Sequence, residues 1–81
     1  MQTQAVLEAI NRLTAERGEK KGSFYYATFS CKDVLNYLGD EITPGNLRQI
    51  AYIATKGYPG SFVEGGSQQH GRMLNMKIRS K

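Results

Sequence analysis

Between Thr3 and Arg17, the apolar residues Val6, Ala9, Ile10 and Leu13 fall at i, i+3, i+4 and i+7. That spacing makes one stripe on a helix, with Glu8, Asn11, Arg12 and Ala15 on the other side. Thr3 is placed to cap this helix and Gly18 to end it. Leu7 lies off the stripe and is expected to be exposed. The pattern breaks at Gly18-Glu19-Lys20-Lys21-Gly22-Ser23, which reads as a polar loop. Phe24 to Phe29 is rich in aromatic and β-favouring residues and reads as a short strand that needs a partner.

Ser30 followed by Asp33 is a cap pair for a second helix, which turns Val34, Leu35 and Leu38 inward and stops at Gly39. Ile42, in the turn Asp40-Glu41-Ile42, is expected to plug the angle between this helix and the next. Thr43-Pro44 opens a third helix (43–57): threonine caps, and proline at the first helical position lacks only an N–H that has no helical partner anyway. Leu47, Ile50, Ala51 and Ala54 share its buried face. Gly45, Gln49, Tyr52 and Lys56 share the outward one, with Arg48 and Ile53 flanking. After the turn Tyr58-Pro59-Gly60, Ser61 to Glu64 and Arg72 to Arg79 read as two strands of a hairpin (61–79). Leu74, Met76 and Ile78 alternate with Met73, Asn75, Lys77 and Arg79. The glycine-rich segment from Gly65 to Arg72 is the expected tip.

The expected fold is therefore α+β, in the order α-β-α-α-β-β with a small antiparallel sheet, as one domain over 1–81. With 40% hydrophobic residues the chain is globular in composition. No apolar run is long enough to span a membrane. The N-terminal MQTQAVLEAINRL does not read as a secretory signal. One cysteine, Cys31, and one histidine, His70, make neither a disulfide nor a zinc site. A reducing cytoplasmic setting is the default, at the nucleoid in a prokaryotic host. Cys31 reads as a small buried residue rather than a helix-activated thiol.

Charge changes the picture. Residues 1–41 carry Arg12, Arg17, Lys20, Lys21 and Lys32 against Glu8, Glu16, Glu19, Asp33, Asp40 and Glu41, a net −1. Residues 42–81 carry Arg48, Lys56, Arg72, Lys77, Arg79 and Lys81 against Glu64 alone, a net +5. The first half reads as scaffold and the second as a polyanion-binding surface.

The capped short helix Ser30-Cys31-Lys32-Asp33-Val34-Leu35, the turn with Gly39 and Ile42, the Thr43-Pro44 helix with Leu47 and Ile50, and the hairpin from Phe62 to Ile78 together resemble the winged helix-turn-helix superfamily. The resemblance covers essentially the whole chain. It implies that the third helix enters the major groove of DNA, while the hairpin, or wing, touches backbone or minor groove. It makes Gly45, Gln49, Tyr52 and Lys56 the groove-facing set, with Arg48 beside them.

Side-chain chemistry points the same way. Gln49 can pair bidentately with adenine, and Arg48 with guanine or a phosphate. Gly45 and Asn46 lie in a first turn whose N–H groups and dipole favour phosphate. Tyr52 and Lys56 suit sugar and phosphate contacts, as do Gln69, His70, Arg72 and Lys77 of the hairpin. The expected partner is duplex DNA and the expected role is a transcriptional regulator. Two copies would pair on a two-part site, with Leu7 and the first-helix face as candidate dimer surface. A protein-interaction adaptor is the first alternative. RNA or single-stranded DNA binding through Tyr25, Tyr26, Tyr37 and the wing is the second. No carboxylate pair in a pocket, nucleophile triad, phosphate loop of the Gly-x-x-x-x-Gly-Lys type or metal cluster is evident, so no enzyme, cofactor, metal or small-molecule ligand is expected.

Overall fold

A computed structural model of the chain describes residues 1–67 and 70–80. The elements are α1 (Thr3–Arg17), β1 (Glu19–Lys21), β2 (Phe24–Ser30), α2 (Cys31–Leu38), α3 (Pro44–Gly57), β3 (Phe62–Ser67) and β4 (Gly71–Arg79). The fold is α+β: three helices on an antiparallel sheet of order β1-β2-β4-β3. β2 and β4 pair in continuous register, Ala27 facing Met76 and Phe29 facing Leu74. These inner residues, with Ile78, meet the buried stripes Val6-Ala9-Ile10-Leu13 of α1, Val34-Leu35 of α2 and Leu47-Ile50-Ala54 of α3. No helix among the described residues is long and apolar enough to cross a membrane.

Local chemistry sets the helix starts. Ser30 Oγ accepts from the Asp33 N–H at 3.1 Å, and Asp33 Oδ2 accepts from the Ser30 N–H at 2.9 Å, a reciprocal capping box. Arg17 reaches the same carboxylate at 3.3 Å. Gly39 closes α2 at φ 73°, the left-handed conformation glycine adopts freely. Ser30→Ala removes half of the box and is expected to cost about 1 kcal/mol. Thermal denaturation should register this as a midpoint lowered by roughly 4–8 °C.

Several expectations are corrected. The polar run after α1 contains β1, joined to β2 by the two-residue turn Gly22-Ser23, with Gly22 at φ 64°. The order is thus α-β-β-α-α-β-β. Thr3 lies inside α1; the cap residue is Gln2, and its side chain makes no capping bond. Gly18 ends α1 as expected, in an extended conformation. Leu7 is half-buried: its side chain fills the space a Cβ on Gly57 would need, and its carbonyl accepts from the Tyr58 hydroxyl at 2.6 Å. Leu7 therefore joins α1 to the end of α3.

Ile53 is buried at 9% exposure, because α3 packs on α1, α2 and both hairpin strands at once and so buries a wider arc than one stripe. Ala51, expected on the buried face, is only half-buried. Ile42 does not plug the helix angle and is 37% exposed. Polar bonds fix that turn instead: Asn46 Nδ2 donates to the Glu41 carbonyl at 2.8 Å, and the Asn46 N–H donates to Thr43 Oγ1 at 3.1 Å. Gly65 and Gly66, expected in the tip, belong to β3.

Candidate nucleic-acid interface

α3 presents Gly45, Arg48, Gln49, Tyr52 and Lys56 to solvent. Tyr52 is 63% exposed, and Lys56, one turn later, holds its ammonium 5.8 Å from the ring centroid. This cation–π contact places a charge at the C-terminal end of the helix face. The first turn differs from expectation. Asn46 is half-buried, and its N–H is taken by Thr43. The Leu47 N–H donates to the Thr43 carbonyl at 2.9 Å, and Pro44 has no N–H. Gly45 is left with the N–H for which the described residues supply no acceptor.

The hairpin is clamped against this helix. The Lys32 N–H donates to the His70 carbonyl at 3.0 Å, which fastens the hairpin to the start of α2. Gly71, at φ 73°, passes so close that a Cβ would stand 2.9 Å from Leu47 Cδ2 and 3.1 Å from Cys31 Cβ. Burial pushes the Cys31 thiol pKa up, and the N–H and charge of Arg72 oppose this only in part. Cys31 is thus a neutral packing residue under the hairpin base. The result is an open groove of about 840 Å³ between α3 and the hairpin. Leu47, Ala51 and Val63 line its floor, and Arg48, Tyr52 and Arg72 also border it.

The structure therefore brings Arg48, Tyr52 and Arg72 together, with Gln49 and Lys56 exposed on the same helix. His70 is exposed, beside its anchored carbonyl. Gln69 lies outside the described residues. Lys77 does not join the group. It pairs with Tyr26 on the face of the sheet turned away from the helices, its ammonium 4.5 Å from the Phe24 ring centroid. Arg79 caps the same ring at 5.3 Å.

Two contributions escape a reading by strand alternation alone. The groove floor needs Val63 and Ala51, which meet only once the hairpin folds back. The aromatic residues of β2 acquire a face only when the register with β4 is known. No group of three or more metal-ligating side chains occurs among the described residues. Comparison with protein-family models, curated proteins and solved structures finds no match.

Proposed function

We propose that this chain is a duplex-DNA-binding protein of winged-helix type, acting by binding rather than catalysis. α3 enters the major groove and the β3–β4 hairpin serves as the wing. The observation that carries the reading is the convergence of Arg48 and Tyr52 from α3 with Arg72 from the hairpin on one groove. Neither α3 nor β4 contains a carboxylate, so nothing on these elements offsets their positive charge. Phosphates positioned by Lys56, Arg72 and the Gly45 N–H set the register on the duplex. Gln49 and Arg48 then reach base edges. Gly45 has no side chain to hold the backbone away, and a Cβ there would meet open space. A domain of this size regulates transcription by occupancy, most effectively as two copies on a paired site.

Titration of random duplex DNA at rising salt tests the reading. Affinity is expected to fall linearly in log–log form. Lys56→Ala should weaken all sequences alike and reduce the slope by about 1, whereas Gln49→Ala should relax preference at one base step. Absence of duplex binding at low salt would reject the proposal. The apolar groove floor Leu47-Ala51-Val63 favours a second reading, an adaptor that seats a protein segment. Such binding would be insensitive to salt.

A further inference from the structure

The face of the sheet turned away from the helices is built unlike an ordinary solvated surface. Beside the row Glu64, Met73 and Ser30, cross-strand pairing arranges it in three further rows. Phe62, Asn75 and Thr28 form the first, Lys77, Tyr26 and Glu19 the second, and Arg79, Phe24 and Lys21 the third. Rows lie about 6.8 Å apart along the strands, and neighbours within a row about 4.8 Å apart. Phe62 is 55% exposed, and Tyr26 is also exposed. An open trough of about 400 Å³ runs between them, lined also by Asn75, Thr28 and Lys77.

Two of the cations on this face, Lys77 and Arg79, are held at a ring, and Lys21 is exposed beside them. Lys77 and Arg79 both stand over the Phe24 ring, and Gly60 leaves room for the Lys77 stem: a Cβ there would come within 3.3 Å of Lys77 Cδ. Among the described residues neither cation has a carboxylate partner. Two like charges gathered at one ring repel each other, and a bound anion relieves that repulsion. Of the carboxylates on this face, Glu64 lies on the β3 edge, while Glu19 on the β1 edge pairs with Tyr26 and lines one side of the trough. Asn75 accepts from the Thr28 hydroxyl at 3.0 Å, and its amide nitrogen has no acceptor among the described residues.

We propose that this face binds a single-stranded nucleic acid, with bases stacking on Tyr26 and Phe62 and phosphates lying along Lys77, Arg79 and Lys21. Separated exposed rings suit unstacked bases, and a duplex keeps its base faces covered. Alternate residues of β4 repeat on the scale of one extended nucleotide, so Lys77 and Arg79 can meet successive phosphates. The proposal stands on the sheet and is independent of the α3 reading.

Fluorescence anisotropy with labelled oligothymidylate and oligouridylate tests it, beside a labelled duplex. Binding of either single strand at low salt is expected, and the preferred one distinguishes DNA from RNA. Tyr26→Ala with Phe62→Ala should weaken it by about tenfold per ring. Phe62→Tyr, which keeps the ring, should retain it. Arg48→Ala with Lys56→Ala should weaken it less than the two ring substitutions do. Both rings are exposed, so circular dichroism should show the double variant folded. Failure to bind either single strand at low salt overturns the proposal. So does equal binding by the double variant. So does self-association in sedimentation that the ring substitutions abolish, since the face would then be a contact between copies of this chain.

Discussion

Gly18→Ala is expected to lower the melting temperature by roughly 12–24 °C, from a cost of about 3 kcal/mol. Backbone strain is not the cause: Gly18 is extended, at φ −96° and ψ −179°. The cost is space. An added Cβ would stand 2.5 Å from the Thr14 carbonyl oxygen, 2.9 Å from Ala27 Cβ, and against the Tyr26 carbonyl oxygen. The two oxygens are main chain, one in the last turn of α1 and one in β2. No rotamer change can move them. The Thr14 carbonyl also accepts the Gly18 N–H at 2.9 Å, so the collision falls where the chain turns from helix to sheet. Relief requires parting α1 from β2. Such a loss is a large share of the roughly 4–12 kcal/mol available to a domain of this length. Gly45→Ala provides the opposite sign: its Cβ meets open space inside a helix, and a gain of up to about 1 kcal/mol is expected. Melting of the two variants by circular dichroism checks both. A Gly18→Ala midpoint close to that of the original chain would show that the junction is looser than its contacts imply.

The parts of this fold legible from the chain are those decided within a few residues. Ser30 with Asp33, and Thr43 with Pro44, announce helix starts because each cap is satisfied three residues away. The alternation Leu74-Met76-Ile78 announces β4 because one strand face is buried. β1 was hidden because Glu19-Lys20-Lys21 buries nothing. Its one sign is the Gly22-Ser23 pair, a two-residue hairpin signal that a polar run disguises. Ile53 and Leu7 depart from expectation for a common reason. A helical wheel gives angles around one axis, and burial depends on how many neighbours surround that axis. The candidate site divides in the same way. The exposed set Gly45, Arg48, Gln49, Tyr52 and Lys56 follows from the periodicity of α3 alone. The meeting of Arg72 with Arg48 depends on the Lys32–His70 bond and on the close pass of Gly71, contacts between residues far apart in sequence. Alternation separates Lys77 from Leu74, yet it does not say which of the two faces looks toward α3.

That separation makes a charge-balanced experiment decisive. Arg48→Glu with Arg72→Glu is expected to weaken duplex binding by at least about 100-fold: two phosphate contacts are lost, and each replacement repels the backbone. Lys77→Glu with Arg79→Glu makes the same change in formal net charge, from +4 to zero. If attraction to DNA were a property of total charge alone, the two double variants would behave alike. The geometry predicts otherwise. Arg48 and Arg72 border the groove between α3 and the hairpin, while Lys77 and Arg79 lie over Phe24 on the far face of the sheet. At moderate salt the screening length is about 10 Å, so charges on the far face contribute little to contacts at the groove. The second variant should therefore keep duplex affinity within a few-fold. Anisotropy measured on one labelled duplex at one salt concentration suffices, with circular dichroism to show that both variants fold. Equal losses would mean that DNA is held by diffuse charge, and α3 would lose its claim to the major groove.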